Sequence, residues 1–374
     1  MLREDGTRHG GWAGPIALAL AALGILWLVV GLISFPGSEG WGYDYRAYAD
    51  AAVRLQDTGS LYAAETLDGP YRPGPYGLYM YAPPLGLVIT PLAGQELDLA
   101  MSVWFLLHVA ALIAACALMP VRWTVRVAAF GLAALSLAVT RDLILGNVSV
   151  LLLLPMVVAW RWLDRPLGSV AQALAMSVRP TLGVLIIWQL LRRQWRAVAW
   201  TLGAGLVLIV LTLPLVGVDG YVDYVTVLGN LSGVTGVLFN YDLSSTAYRL
   251  GASQGVADLA LVAGYAFAVG AMLFSMRRDR EIGFMVTLTA SLLLSPLLWD
   301  HYLALLVLPA AFLAERGRPW ALLLPLAAWL PPETYPVTVI VATLLPFTVK
   351  DSGASHEHAH GPQPGERSAQ EAPA

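Results

Sequence analysis

Charge is the scarcest commodity in this chain: only 13% of its 374 residues are Asp, Glu, Lys or Arg, against roughly 25% in ordinary soluble domains. So little charge cannot cover the surface of a water-soluble fold of this length. Cysteine is almost missing as well. A lone Cys116 excludes an internal disulfide and any cysteine-built metal cluster, and its apolar surroundings mark it as a packed small hydrophobe. No Gly-x-Gly-x-x-Gly follows a strand, no Walker loop or His-Glu-x-x-His zinc signature occurs, and no repeat of fixed period is visible. Soluble enzyme, nucleic-acid-binding protein, secreted disulfide scaffold and coiled coil are set aside on these grounds. The net charge of −3 says little, because in a membrane protein the positions of the charges carry the information.

What the chain has in abundance is apolar sequence: 57% of residues are hydrophobic, and the mean hydropathy is +0.66. Apolar runs approaching about 20 residues point to membrane spans. The first, Ala13–Ser34, exceeds a signal-peptide core and lacks a small-x-small cleavage site, so it reads as an uncleaved span. Eleven more segments follow, from Leu99–Met119 to Val337–Val349, through Val127–Thr140, Leu145–Trp162, Leu167–Val178, Leu182–Leu191, Val198–Val216, Val256–Met276, Ile282–Ser295, Tyr302–Ala314 and Trp320–Leu330. The expectation is an all-α, polytopic integral membrane protein with about twelve transmembrane helices. Tyr81–Gly94, short and proline-marked, reads as re-entrant or interfacial.

Arg and Lys accumulate in cytoplasmic loops. With the N-terminus inside, alternate loops collect 16 of the 22 basic residues, among them Arg122, Arg161, Arg165, Arg192, Arg193, Arg196, Arg280 and Arg316. The expected organisation is a cytoplasmic segment 1–12, a transmembrane domain 13–349 with extracytoplasmic loops at 35–80 and 217–255, and a cytoplasmic tail 350–374. That tail is rich in Ser, Pro, Gly, Glu and Ala, the composition of disorder. Its alternating His356, His358 and His360 read as solvated, with loose metal binding as the alternative.

Costly polar groups that persist near spans mark chemistry. Six places qualify, all on the outer side of this topology: Tyr43-Asp44-Tyr45-Arg46-Ala47-Tyr48; Pro70–Pro84, containing Arg72; Arg141-Asp142 with Gly146-Asn147; Arg179-Pro180; Asn240-Tyr241-Asp242; and Ser295–Tyr302, containing Asp300 and His301. Their gathering on one face suits an enzyme with a single wet interfacial cavity. A transporter or flippase of lipid-linked saccharides, the alternative, would distribute such groups near the midplane. Asp44, flanked by aromatics beyond the first span, is the general-base candidate; it is equally placed to cap a helix beginning near Arg46. Arg179, at the tip of a hairpin of two short helices, either lines a wet cavity or snorkels to the headgroups. His301 either orients a substrate or tunes the base, or it is an interfacial histidine in an aromatic belt. Asp50 and Asp57 read as solvated positions, and His108, deep in an apolar run, as a packed core histidine.

Three stretches together resemble glycosyltransferase family 87, the DUF2029 group within the GT-C class of polyprenyl-phosphate-sugar-dependent membrane transferases. They are Asp44-Tyr45-Arg46-Ala47-Tyr48 through Gly59-Ser60-Leu61-Tyr62 to Tyr81-Ala82-Pro83-Pro84-Leu85; Gly146-Asn147 with the Arg179-Pro180 hairpin, where the family commonly has lysine before proline; and Ser295-Pro296-Leu297-Leu298-Trp299-Asp300-His301-Tyr302. The resemblance implies a GT-C-like fold and an inverting transfer of a hexose, mannose in most characterised relatives, to a lipid or glycan acceptor. It implies no nucleotide donor, no cofactor and no required metal. By this resemblance Asp44 deprotonates the acceptor, and Arg179 and Arg141 meet the donor phosphate. His301, Asn240, Asn147, Tyr48 and Arg72 belong to the substrate pockets. The implied setting is a bacterial plasma membrane, with the site extracytoplasmic and both termini cytoplasmic.

Overall fold

The computed structural model describes residues 13–69, 76–231 and 239–351. The expected segment 1–12, Arg72 and the tail beyond Asp351, with its three histidines, lie outside the described residues. Within them every regular element is helical, so the all-α expectation holds there. The order is α1 (Ala13–Ser34), α2 (Tyr43–Thr58), α3 (Ala64–Leu67), α4 (Pro83–Ala93), α5 (Leu97–Leu118), α6 (Trp123–Ala134), α7 (Leu137–Leu145) and α8 (Ser149–Arg161). There follow α9 (Pro166–Val178), α10 (Val184–Leu191), α11 (Trp195–Asn230), α12 (Leu243–Arg249), α13 (Gln254–Ser275), α14 (Arg280–Leu293), α15 (Val307–Glu315) and α16 (Tyr335–Leu344). Tighter 3₁₀ turns cover Pro180–Gly183, Asp300–Leu306 and Pro319–Trp329.

Helix α14 is the centre: every residue from Ile282 to Leu293 is buried. Its polar members stay inside because each hydroxyl returns to a carbonyl of its own helix, as Thr287 does to Gly283 at 2.7 Å and Ser291 to Leu288 at 2.6 Å. The periphery is the opposite. Helices α1, α11 and α13 turn large aliphatic side chains outward, with Leu211 66% exposed, which is the surface a bilayer covers. Where α1 crosses α6, small residues let the backbones touch: a Cβ on Gly131 would lie 2.4 Å from the Leu20 carbonyl carbon. Helix α11 is bent at Gly217, whose φ of +67° and ψ of 178° suit glycine far better than any other residue. Beyond the bend it reaches α3, where Asn230 donates to the carbonyls of Thr66 and Leu67.

The expected span count is corrected. Among the described residues four helices are long and apolar enough to cross a membrane, α1, α5, α11 and α13; the α6–α7 pair, bent by 58°, makes a fifth if it counts as one span. Hydropathy registers apolar side chains but not the backbone breaks that cut these runs. Ser136 caps α7 by accepting from the Val139 amide and so divides the Val127–Thr140 segment. The run Leu167–Val178 becomes the thirteen-residue α9, about 20 Å long against a hydrocarbon core of about 30 Å. Tyr302–Ala314 is split between a 3₁₀ turn and the nine-residue α15. The chain is a multi-pass membrane protein with several helices too short to span by themselves.

The arginine-rich loops gather at one pole. Arg161 donates to the Leu118 carbonyl, Arg192 to the Arg278 carbonyl and Arg316 to the Lys350 carbonyl; Arg280 pairs with Asp164, and Arg278 with Asp351.

Replacing Gly131 by Ala is expected to push α1 from α6 and cost about 1–3 kcal/mol, read as a lower unfolding temperature in detergent. Gly203→Ala, on α11 with nothing within 4 Å of its Cβ position, is expected to leave that temperature unchanged or raise it. Equal effects of the two would contradict the α1–α6 contact.

Candidate active site

Gly42, left-handed at φ +71°, starts α2 and carries no side-chain cap. Asp44 therefore sits inside the first turn and does not serve as the helix cap. Its carboxylate is buried, 7% exposed, because the chain at Gly77 folds over it. The Gly77 amide donates to the Tyr43 carbonyl at 3.0 Å, and a Cβ on Gly77 would come within 2.7 Å of Asp44 Oδ1. Asn147 Nδ2 donates to Asp44 Oδ2 at 2.8 Å and faces the Tyr81 hydroxyl at 3.3 Å. The Tyr48 hydroxyl in turn donates to that of Tyr81 at 3.2 Å. Burial raises the Asp44 carboxyl above the ordinary carboxylate range, while nearby His301 and the Asn147 hydrogen bond work against the shift.

Asn147 is fixed from every side. Its Oδ1 accepts from the Val148 amide at 2.7 Å and the Ser149 hydroxyl at 3.1 Å, so its Nδ2 is left facing Asp44. The turn before it ends α7 at Gly146, left-handed at φ +70°, where a Cβ would strike that of Tyr45 at 2.7 Å. Below lies a pair to which sequence reasoning gave no role in the site, although Arg141-Asp142 was among the polar places it singled out. Asp142, fully buried, accepts from the amides of Ser149 and Val150 and so closes the start of α8. His108 meets the Asn147 carbonyl at 2.5 Å through Nε2, the Trp104 carbonyl at 2.7 Å through Nδ1, and Asp142 at 3.4 Å. It is buried, as expected, yet its ring nitrogens bridge three backbone and side-chain acceptors. The missed signal was physical: an imidazole in an apolar run needs acceptors, and Asp142 is an acceptor equally short of partners in sequence.

A cavity of about 100 Å³ opens on the far side of Asn147 and Tyr81, lined also by Ser149, Arg179, Ser295 and Tyr302. Arg179 follows the last residue of α9 and is only 5% exposed. Its guanidinium lies 3.5 Å over the Tyr302 ring, and Nε donates to Thr181 Oγ1 at 3.3 Å. Nη1 and Nη2 are buried without a partner among the described residues. A second, larger and mostly apolar cavity of about 440 Å³ shares Pro180 and Leu228 with the first and is walled by Met176, Leu202, Leu206 and Ile209.

The remaining candidates hold structure around these groups. Asp300 accepts from the His301 amide at 2.7 Å, from Arg141 Nε at 3.1 Å, and lies 3.2 Å from His301 Nδ1. Although burial acts to raise its carboxyl, hydrogen bonds and charge from His301, with help from Arg141, hold it below the ordinary range. His301 is buried with Nε2 unpartnered among the described residues. Arg141 thus meets Asp300 and does not line the cavity with Arg179. Asn240 uses its amide on the Asp242 side chain, the Pro296 carbonyl and the Asp242 and Leu298 amides, clipping the loop that carries His301. Among the described residues no three His, Cys, Asp or Glu side chains lie close enough to hold a metal.

A carboxyl raised on folding holds its proton more tightly folded than unfolded. Its contribution to stability is complete below the unfolded value of about 3.9 and is lost as pH rises through the folded value. Asp44→Asn carries no such group. Its unfolding temperature relative to wild type is expected to climb as pH rises above about 4, measured by differential scanning fluorimetry. A difference that does not vary with pH would contradict the raised carboxyl.

The model of glycosyltransferase family 87 matches residues 79–296, more than half of the chain. No curated protein and no solved structure matches it. The matched stretch contains Tyr81, Asp142, Asn147, Arg179 and Asn240 and ends inside the Ser295–Tyr302 loop. With its long apolar helices and this match, the chain is a membrane glycosyltransferase and belongs to glycosyltransferase family 87.

Proposed function

We propose that the chain transfers a hexose, mannose as the first choice, from a polyprenyl-phosphate donor to a hydroxyl of a lipid or glycan acceptor, with inversion at the anomeric carbon. The observation that carries this reading is the buried Arg179 guanidinium. Its two Nη nitrogens are buried without a partner among the described residues, and the residue borders a cavity whose wall includes Asn147 and Tyr81, which reach Asp44 and Tyr48. Two free donors on a permanent cation suit a phosphate through a bidentate fork. The adjoining apolar cavity, which shares Pro180 and Leu228, suits the isoprenoid chain of such a donor.

In this mechanism Asp44 takes the proton of the acceptor hydroxyl as its oxygen bonds to the anomeric carbon. The bond from that carbon to the phosphate oxygen breaks on the opposite face, and polyprenyl phosphate departs with the electron pair. Negative charge grows on the leaving phosphate, where Arg179 is already fixed by stacking on Tyr302 and needs no reorganisation. The raised Asp44 carboxyl makes a better base than an exposed aspartate.

The gathering of arginine-rich loops at the pole away from this cavity supports an extracytoplasmic site with the basic pole cytoplasmic. It does so without depending on a count of crossings.

In purified protein given a polyprenyl-phosphate sugar, Asp44→Asn is expected to lower transfer by about 10²–10⁴-fold. Wild-type-like transfer would remove the base assignment. Arg179→Gln is expected to lose about 10²–10³-fold, while Arg179→Lys, keeping the charge but not the fork, recovers a large part of that loss. If wild type transfers nothing from any such donor and instead moves lipid-linked sugar across liposomes, the transferase mechanism is wrong.

A further inference from the structure

The pole opposite the candidate active site contains a cavity that the transfer chemistry leaves unused. Helix α9 connects the two: Arg179 follows its C-terminal end, and Arg165 precedes its N-terminal end. The cavity at the Arg165 end measures about 360 Å³ and is also lined by Arg193, Arg196 and Arg280. One carboxylate, Asp164, lines it too, and that is paired with Arg280. Arg165, Arg193 and Arg196 have no carboxylate partner among the described residues, so the cavity keeps a surplus of positive charge.

Three further observations separate it from an ordinary basic surface. Arg193 is one of two described non-glycine residues with positive φ, at +56°. It closes α10, with its amide on the Leu190 carbonyl and the Gln194 amide on the Gln189 carbonyl, both at 2.9 Å. Glycine is the residue that favours this place at a helix end. An arginine in its place carries a conformational cost. Its neighbour Arg192 is turned away, onto the Arg278 carbonyl and the Trp188 ring. In addition, the Nε2 of Gln194, another lining residue, is buried without a partner among the described residues. Trp195 and Trp200, 61% and 50% exposed, flank the opening, as tryptophans do at the headgroup level of a bilayer.

We propose that this cavity binds a phosphate-bearing anion, the phosphodiester headgroup of an acidic phospholipid. Arg165, Arg193 and Arg196 supply its charge and donors, Gln194 adds an amide donor, and the two tryptophans sit among the neighbouring lipids. Basic pockets between membrane helices recognise acidic headgroups in this manner.

The test uses the full chain reconstituted in vesicles of phosphatidylcholine alone or of equal parts phosphatidylcholine and phosphatidylglycerol. The unfolding temperature is expected to be about 2–4 °C higher with phosphatidylglycerol. In Arg193→Gly/Arg196→Gln that rise is expected to vanish, with no loss of stability in phosphatidylcholine, because glycine suits the backbone at 193. Arg122→Gln/Arg318→Gln, which removes the same charge elsewhere on this pole, is expected to keep the rise. Inorganic phosphate added to phosphatidylcholine vesicles separates the sources: no effect assigns the cavity to a lipid headgroup, and an equal rise assigns it to free phosphate. A rise that survives in the first double variant, vanishes equally in the second, or is absent from wild type with both lipid and phosphate overturns the proposal. None of these readouts measures sugar transfer, so they stand apart from the proposed function.

Discussion

A carboxylate withdrawn from water is tolerated only when something else solvates it, and in this chain Asn147 does so for Asp44. Much of the local architecture serves that one amide. Val148 and Ser149 occupy its oxygen, so its nitrogen has one direction left to face. His108 takes its backbone carbonyl, and Asp142 secures the first amides of the helix that begins two residues after Asn147. Helices α2, α5, α7 and α8 are thereby tied to a single point, and Gly77 closes it from above.

Asp44 and Asp300 show how surroundings divide labour between carboxylates. Asp300 is met by Arg141 and by the His301 amide and ring, which hold it charged and committed. Asp44 has one strong donor and little solvent, which leaves it reluctant to stay charged. The first carboxylate organises a loop; the second is left with a raised affinity for a proton. Environments that push two acids apart in this way are a recurring means of assigning roles.

The scarcity of charge made several of these groups legible in the sequence. Asp44, Asn147, Arg179 and His301 stood out because polar residues beside apolar runs are few. Scarcity could not separate a polar group that is satisfied from one that is not. Asn240 and Arg141 stood out equally, yet Asn240 spends its amide on a loop and Arg141 meets Asp300. His108 was passed over for the opposite reason: two of its three partners are 34 and 39 residues away in sequence and only the fold brings them near. The helical class followed from composition, whereas the span count did not. Caps such as Ser136 and 3₁₀ segments such as Pro319–Trp329 interrupt apolar runs without lowering their hydropathy.

Helix α9 also acts as a ruler. Its thirteen residues set about 20 Å between the arginines at its start and Arg179 at its end, less than the roughly 30 Å of a hydrocarbon core. With that end placed at headgroup depth, as the proposed lipid site requires, the guanidinium lies well short of the opposite headgroups. An anionic group then meets Arg179 below the leaflet surface, beside the apolar cavity that shares Pro180 and Leu228 with its own. A molecule with a long hydrocarbon tail suits such a place, because its tail has no need to leave the membrane.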